Sequence, residues 1–171
     1  MMKQFRSLLI AAALFMGASQ TISAQAKVAH INVQELMSNM PDMKAANTQL
    51  EKIGKTYDGE YRTMVTEYQA KLKKYDEEAA TVGDAVNQTR QKEVQDMGER
   101  IQQYQQNAQK ELQQKQEDIL KPILEKSRLA IQKVAKGKGF QYVLDSSTGS
   151  GVLLADGPDL LADVKKELGF Q

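Results

Sequence analysis

Apolar residues are sparse between Ala46 and Val134, but they are ordered. Three columns repeat at eleven-residue intervals: Ala46, Tyr57, Tyr68 and Ala79; Leu50, Tyr61 and Leu72; Ile53, Met64 and Tyr75. The later half repeats the pattern less richly, with Met97, Ala108, Ile119 and Ala130 beside Ile101, Leu112, Ile123 and Val134. An eleven-residue repeat corresponds to about 3.67 residues per turn, so each stripe runs nearly straight along its helix. The pattern predicts two long charged helices folded back on each other. Thr81-Val82-Gly83-Asp84 is the break, with Gly83 suited to end one helix and Asp84 to cap the next. A turn there makes facing residues sum to about 166 by antiparallel folding, which sets Tyr68 over Gly98 and Ile101 opposite Val65.

The flanks read differently. Lys27 to Val33 alternates in the period of a half-buried strand, and Gln34 to Met40 makes a short helix with Leu36, Met37 and Met40 on its apolar side. Pro41-Asp42 then opens the first arm, because proline fits a first helical turn and aspartate favours a helix N-terminus. Gly54 and Gly59 lie inside that arm, each costing about 1 kcal/mol relative to alanine. The return arm is glutamine-rich from Gln102 to Gln116, a composition that keeps helical propensity while packing weakly. Pro122 is expected to kink it near the level of Pro41. Gly137-Lys138-Gly139 stops the helix; Phe140 to Asp145 and Val152 to Ala155 are predicted to form a β-hairpin around the loop Ser146–Gly151. A last helix starts at Gly157 or Asp159, presents Leu160, Val164 and Leu168 on one face and ends at Gly169.

The expected fold class is therefore α+β: a small β-rich body from residues 27–41 and 123–171, and a long antiparallel helical hairpin arm from 42–122 with its tip near 81–85. At 41% hydrophobic residues the chain has enough apolar content for an ordinary core, but much of it lies in the first 24 residues or in the thin stripes. A core this small points to a homo-oligomer, with Val28, Ile31, Tyr142, Leu144, Val152 and Leu154 as candidates for the association surface. Residues 1–26 carry Lys3 and Arg6, a short apolar run and Ala24-Gln25-Ala26, the plan of a secretory signal peptide; cleavage after Ala24 is the alternative. The apolar run falls short of the roughly 20 residues of a transmembrane helix, so the mature protein is expected to be exported and soluble.

Charge and chemistry narrow the function. Removing Lys3 and Arg6 from 23 basic residues leaves 21 against 22 acidic ones, too neutral for a general nucleic-acid binder. There is no cysteine, no tryptophan and one histidine, His30, which reads as structural because a metal site needs several ligands. Asp145, Ser146 and Ser147 have no histidine near them in sequence, so no catalytic residue, metal or cofactor is expected. Lys71, Lys73, Lys74, Arg90, Lys92 and Arg100 lie toward the tips beside Asp76, Glu77, Glu78 and Glu93, and read as solvated faces with local ion pairs.

The order of these segments carries a family likeness. The leader, Val28-Ala-His-Ile-Asn32, Met40-Pro-Asp42 before a long helical hairpin, Gly139-Phe-Gln-Tyr-Val-Leu-Asp145 and Asp159-Leu-Leu-Ala-Asp-Val164 together resemble the Skp/OmpH family of periplasmic chaperones. The resemblance implies a jellyfish-shaped homotrimer whose three arms enclose a cavity and hold unfolded outer-membrane proteins without ATP. Its best-known member is strongly basic; this mature chain is not, which weakens the electrostatic attraction to a membrane surface or lipopolysaccharide without excluding such contact. On this reading Tyr57, Tyr61, Met64, Val65, Tyr68, Leu72, Tyr75, Met97, Ile101 and Tyr104 either pack one arm on the other or touch clients, since methionine is adaptable and tyrosine joins an apolar body to a polar tip. The other reading is an envelope coiled coil that binds one folded partner as an adaptor.

Overall fold

A computed structural model describes residues 26–171. The signal-peptide reading of residues 1–26 falls almost wholly outside the described residues. The chain forms strand β1 (Val28–Ile31), helix α1 (Val33–Asn39), helix α2 (Pro41–Glu78), helix α3 (Asp84–Gly137), strand β2 (Tyr142–Asp145) and helix α4 (Leu161–Glu167). The 38 residues of α2 and 54 of α3 extend about 57 Å and 81 Å at 1.5 Å per residue. They pack along each other as the arm.

Local chemistry sets most boundaries. Asn32 ends β1 and caps α1, its side-chain oxygen accepting from the Glu35 amide at 2.8 Å, so Val33 begins a helix instead of closing the strand. Pro41 occupies the first turn of α2, where its missing N–H costs nothing. Helix α2 ends at Glu78, and Gly83, with extended backbone, becomes the N-cap of α3 rather than the terminator of α2. Helix α3 continues through Pro122 to Gly137. Gly139 (φ 75°) and Gly169 (φ 83°) adopt the left-handed backbone that reverses the chain after α3 and α4.

The sheet departs from the expected one. Strand β1 pairs with β2 in parallel, Val28 with Tyr142 through Ile31 with Asp145. Its other edge is taken by residues 158–160: the His30 amide donates to the Pro158 carbonyl and the Leu160 amide to the His30 carbonyl, each at 3.0 Å. The predicted hairpin between Phe140–Asp145 and Val152–Ala155 does not form. Gly149 and Gly151, both at positive φ, turn the chain outward, and Val152–Ala155 is irregular, with Leu153 and Leu154 exposed at 102% and 83%. The loop is tied back on the end of β2, with Ser147 bonded to the Asp145 carboxylate and the Ser150 hydroxyl donating to the Asp145 carbonyl at 2.6 Å, and the chain next returns to β1 at residues 158–160 instead of to the open edge of β2.

The core sits where this sheet meets the base of the arm. Ala29 and Ile31 of β1, Leu36 and Met40 around α1, Ala130 and Ala135 of α3, and Leu160 and Val164 at α4 are buried together, with Phe140, Val143 and Leu168 packed around them. Ser127 is buried at the joint; its hydroxyl donates to the Ile123 carbonyl at 2.9 Å and lies 3.0 Å from the Met40 sulfur. Beyond this point the arm has almost no fully buried side chain, Ala46 being the exception on α2.

Candidate functional site

The arm seam is built from half-buried side chains. Tyr57, Tyr61, Met64, Val65, Tyr68 and Tyr75 of α2, with Met97, Ile101 and Tyr104 of α3, are all of intermediate exposure, and Leu72 is exposed at its edge. Tyr68 lies over Gly98, where a Cβ would stand 3.9 Å from the ring. Met64, Met97 and Ile101 line one small cleft of about 120 Å³ with Glu67 and Arg100. Met97 also borders a second groove of about 430 Å³ beside Glu67, Ala70, Lys71 and Lys74.

Hydroxyl–carboxylate bonds hold this seam across the hairpin. Tyr57 donates to Glu111 at 2.8 Å, Tyr104 to Glu60 at 2.7 Å, and Tyr75 to Glu93. Burial pushes the Tyr104 hydroxyl up to about 12, helped by the Glu60 carboxylate that accepts its proton. The same kind of bond raises Tyr57 and Tyr75, through Glu111 and Glu93 respectively. Glu93 is held below the ordinary carboxylate range, first by the Lys71 ammonium and then by the Tyr75 hydroxyl.

The tip corrects the reading of its charges as solvated faces. Arg90 crosses to Glu78 at 2.5 Å, its guanidinium lies 4.5 Å from the Tyr75 ring centre, and its side chain is only 17% exposed. Lys71 crosses to Glu93. Only Lys73–Glu77, at 3.9 Å, is a local pair of the expected kind. The partner carboxylates Glu60, Glu78, Glu93 and Glu111 are absent from the apolar pattern. The facing-residue sum could have found them, since Tyr57–Glu111, Tyr104–Glu60, Tyr75–Glu93 and Arg90–Glu78 all fall within two of 166.

In the body, Ile31 is buried in the chain's own core, whereas Val28, Tyr142, Leu144 and Leu154 are exposed and Val152 is half-buried. The fold also brings His30 to Ser146, which sequence spacing does not suggest. The two side chains are 3.2 Å apart, and the other ring nitrogen of His30 lies 3.0 Å from the Gly157 carbonyl. Asp145 faces away from that pair: although burial pushes its carboxyl up, bonds from the Ser147 hydroxyl and amide and the Val33 amide hold it below its usual value. The histidine has a carbonyl and a hydroxyl for partners and no carboxylate, so the arrangement ties the loops after β2 to β1.

The chain is 25% identical over 155 residues to a protein named Chaperone protein Skp of Pectobacterium atrosepticum, covering 91% of this chain and 93% of that one. It is 27% identical over 169 residues to the protein of the same name from Photorhabdus luminescens, covering 95% and 99%. Among solved structures, an OmpH-like protein of Caulobacter crescentus superposes with a TM-score of 0.76 over 85% of each chain at 20% identity, a likeness of fold. The family model for the outer membrane protein (OmpH-like) family matches residues 27–168, and the chain belongs to that family.

Proposed function

We propose that the chain is an ATP-independent holdase of the periplasm that binds unfolded outer-membrane proteins between the arms of a homotrimer and keeps them from aggregating in transit. The observation that carries this reading is the arm seam, a long surface of half-buried tyrosine and methionine closed by exchangeable hydroxyl–carboxylate bonds instead of a buried core. A holdase needs many weak apolar contacts that it can release, and such side chains provide them. Relatives matched along nearly the whole chain are named as chaperones, which supports the same reading. Tyr61, Met64, Val65 and Tyr68 would meet the client through the parts of their side chains that stay exposed at the rim of the seam, and Val28, Tyr142, Leu144 and Leu154 would meet neighbouring copies in the body. Stoichiometric amounts of the mature protein are expected to suppress aggregation of a denatured β-barrel protein with no nucleotide present. A well-folded sample that leaves aggregation unchanged refutes the proposal. Native pull-down separates it from an adaptor role, which predicts one dominant folded partner rather than a range of unfolded precursors.

A further inference from the structure

Cross-hairpin bonds are unevenly spread along the arm. At the tip, Lys71, Tyr75 and Glu78 of α2 engage Arg90 and Glu93 of α3 through two ion pairs, a hydroxyl–carboxylate bond and a cation–ring contact. The turn is stitched as well, the Asn87 side chain donating to the Ala79 carbonyl at 3.0 Å. Lower down, Tyr57–Glu111 is followed by nothing of the kind until Lys126–Asp42 at 2.6 Å, next to the core. Among the described residues no side-chain hydrogen bond or ion pair crosses the hairpin between these two, a span of about 22 Å at 1.5 Å per residue. That span contains Gly54 of α2, and the facing stretch of α3 is rich in glutamine.

We infer that the tip is a latch and that the arm opens by bowing apart in its lower half, between Tyr57–Glu111 and Asp42–Lys126, while its end stays closed. Hairpin ends ordinarily open first, because terminal turns have the fewest neighbours. Here the end carries the densest set of charge-assisted bonds, which are stronger than neutral ones. Arg90 joins them: its guanidinium stacks on Tyr75 and pairs with Glu78, so one side chain holds the opposite helix at two points. Bowing uncovers Leu50 and Ile53 of α2 with Leu112 of α3 as an apolar slot flanked by closed ends. The inference concerns the hairpin alone and stands without the chaperone reading.

Native-state hydrogen exchange on the mature protein, read by mass spectrometry, tests it. Amides of residues 71–78 and 90–94 are expected to exchange at least tenfold more slowly than those of 48–56 and 112–119. Protection that falls steadily from base to tip overturns the inference. In Arg90→Gln the tip is expected to exchange about tenfold faster with residues 48–56 unchanged, and Arg90→Lys, which keeps the charge but not the plane, to fall between. Unchanged tip exchange in R90Q removes the latch, and equal acceleration along the whole arm shows that the tip and the lower arm open as one unit, which also refutes it.

Discussion

Tyr104 shows how much a single side chain on this arm depends on its opposite helix. Its hydroxyl, raised to about 12 by burial and Glu60, stays protonated in the folded arm where a free tyrosine would ionise near 10. A group whose folded pKa is raised contributes stability that is complete below the unfolded value and lost as pH rises through the folded one. Arm stability followed by circular dichroism is therefore expected to fall between about pH 10 and 12, and Tyr104→Phe to flatten that part of the profile. Glu93 works in the opposite direction. Lys71 and Tyr75 hold its pKa down, with Arg100 adding a weaker attraction and Arg90 stacked on the neighbouring Tyr75 ring. Its contribution is present above the ordinary carboxylate value near 4.5 and lost as pH falls below it. Thermal melts below that pH are expected to drop more steeply for the parent than for Glu93→Gln. Tyr57 and Tyr75 were legible in the eleven-residue columns, and Tyr104 as a candidate seam residue of the glutamine-rich return arm. Their carboxylate partners were not, because an apolar periodicity reports the side a helix buries and says nothing about polar groups at the rim of the seam.

At the scale of elements, glycine and leucine substitutions separate the arm from the body. A Cβ at Gly98 would meet the Tyr68 ring at ordinary van der Waals distance, and one at Gly54 or Gly59 would meet nothing within 4 Å. Gly98→Ala is thus expected to stabilise the protein by about 1 kcal/mol, the helix-propensity difference alone, as a shift in denaturant midpoint. Gly54→Ala combined with Gly59→Ala is expected to stabilise similarly at each site while lowering the aggregation-suppressing capacity, if an arm that bends is what holds the client. Leu36→Ala acts elsewhere. Leu36 is fully buried where β1, α1 and α3 converge, and its truncation is expected to cost about 2–5 kcal/mol in equilibrium unfolding. The arm, its turn and the facing register were readable because helix periodicity and antiparallel folding are local rules applied many times over. The β-hairpin was misread for the opposite reason. Val152–Ala155 is a short apolar run of the kind that forms strands, yet so short a run cannot tell whether the chain returns along β2 or passes on to β1.

For the whole molecule, the main feature is how little of it is covered. A small core anchors a hairpin many times its own length, while the body exposes Tyr142, Leu144 and the Leu153–Leu154 pair. No helix among the described residues is long and apolar enough to cross a membrane. If body-to-body association covers those exposed side chains, Leu154→Asp is expected to reduce the light-scattering mass from three chains toward one while the helical content stays intact. An unchanged mass in L154D removes this loop from the association surface.

The amino-acid sequence by itself determined the arm's two helices and their break, which follow from spacing and propensity along a continuous chain. It also carried the family resemblance, through the order of strand, hairpin, strand and closing helix. Only the tertiary structure decided who meets whom across distance. It gave β1 a parallel neighbour in β2 and a second one just before α4, left Val152–Ala155 without a strand partner, set His30 beside Ser146, and placed Arg90 in the seam instead of in water. Each of these is a choice among competitors for one edge, one acceptor or one ring face. Such choices depend on which distant segments arrive together, and no periodicity within a single segment records that.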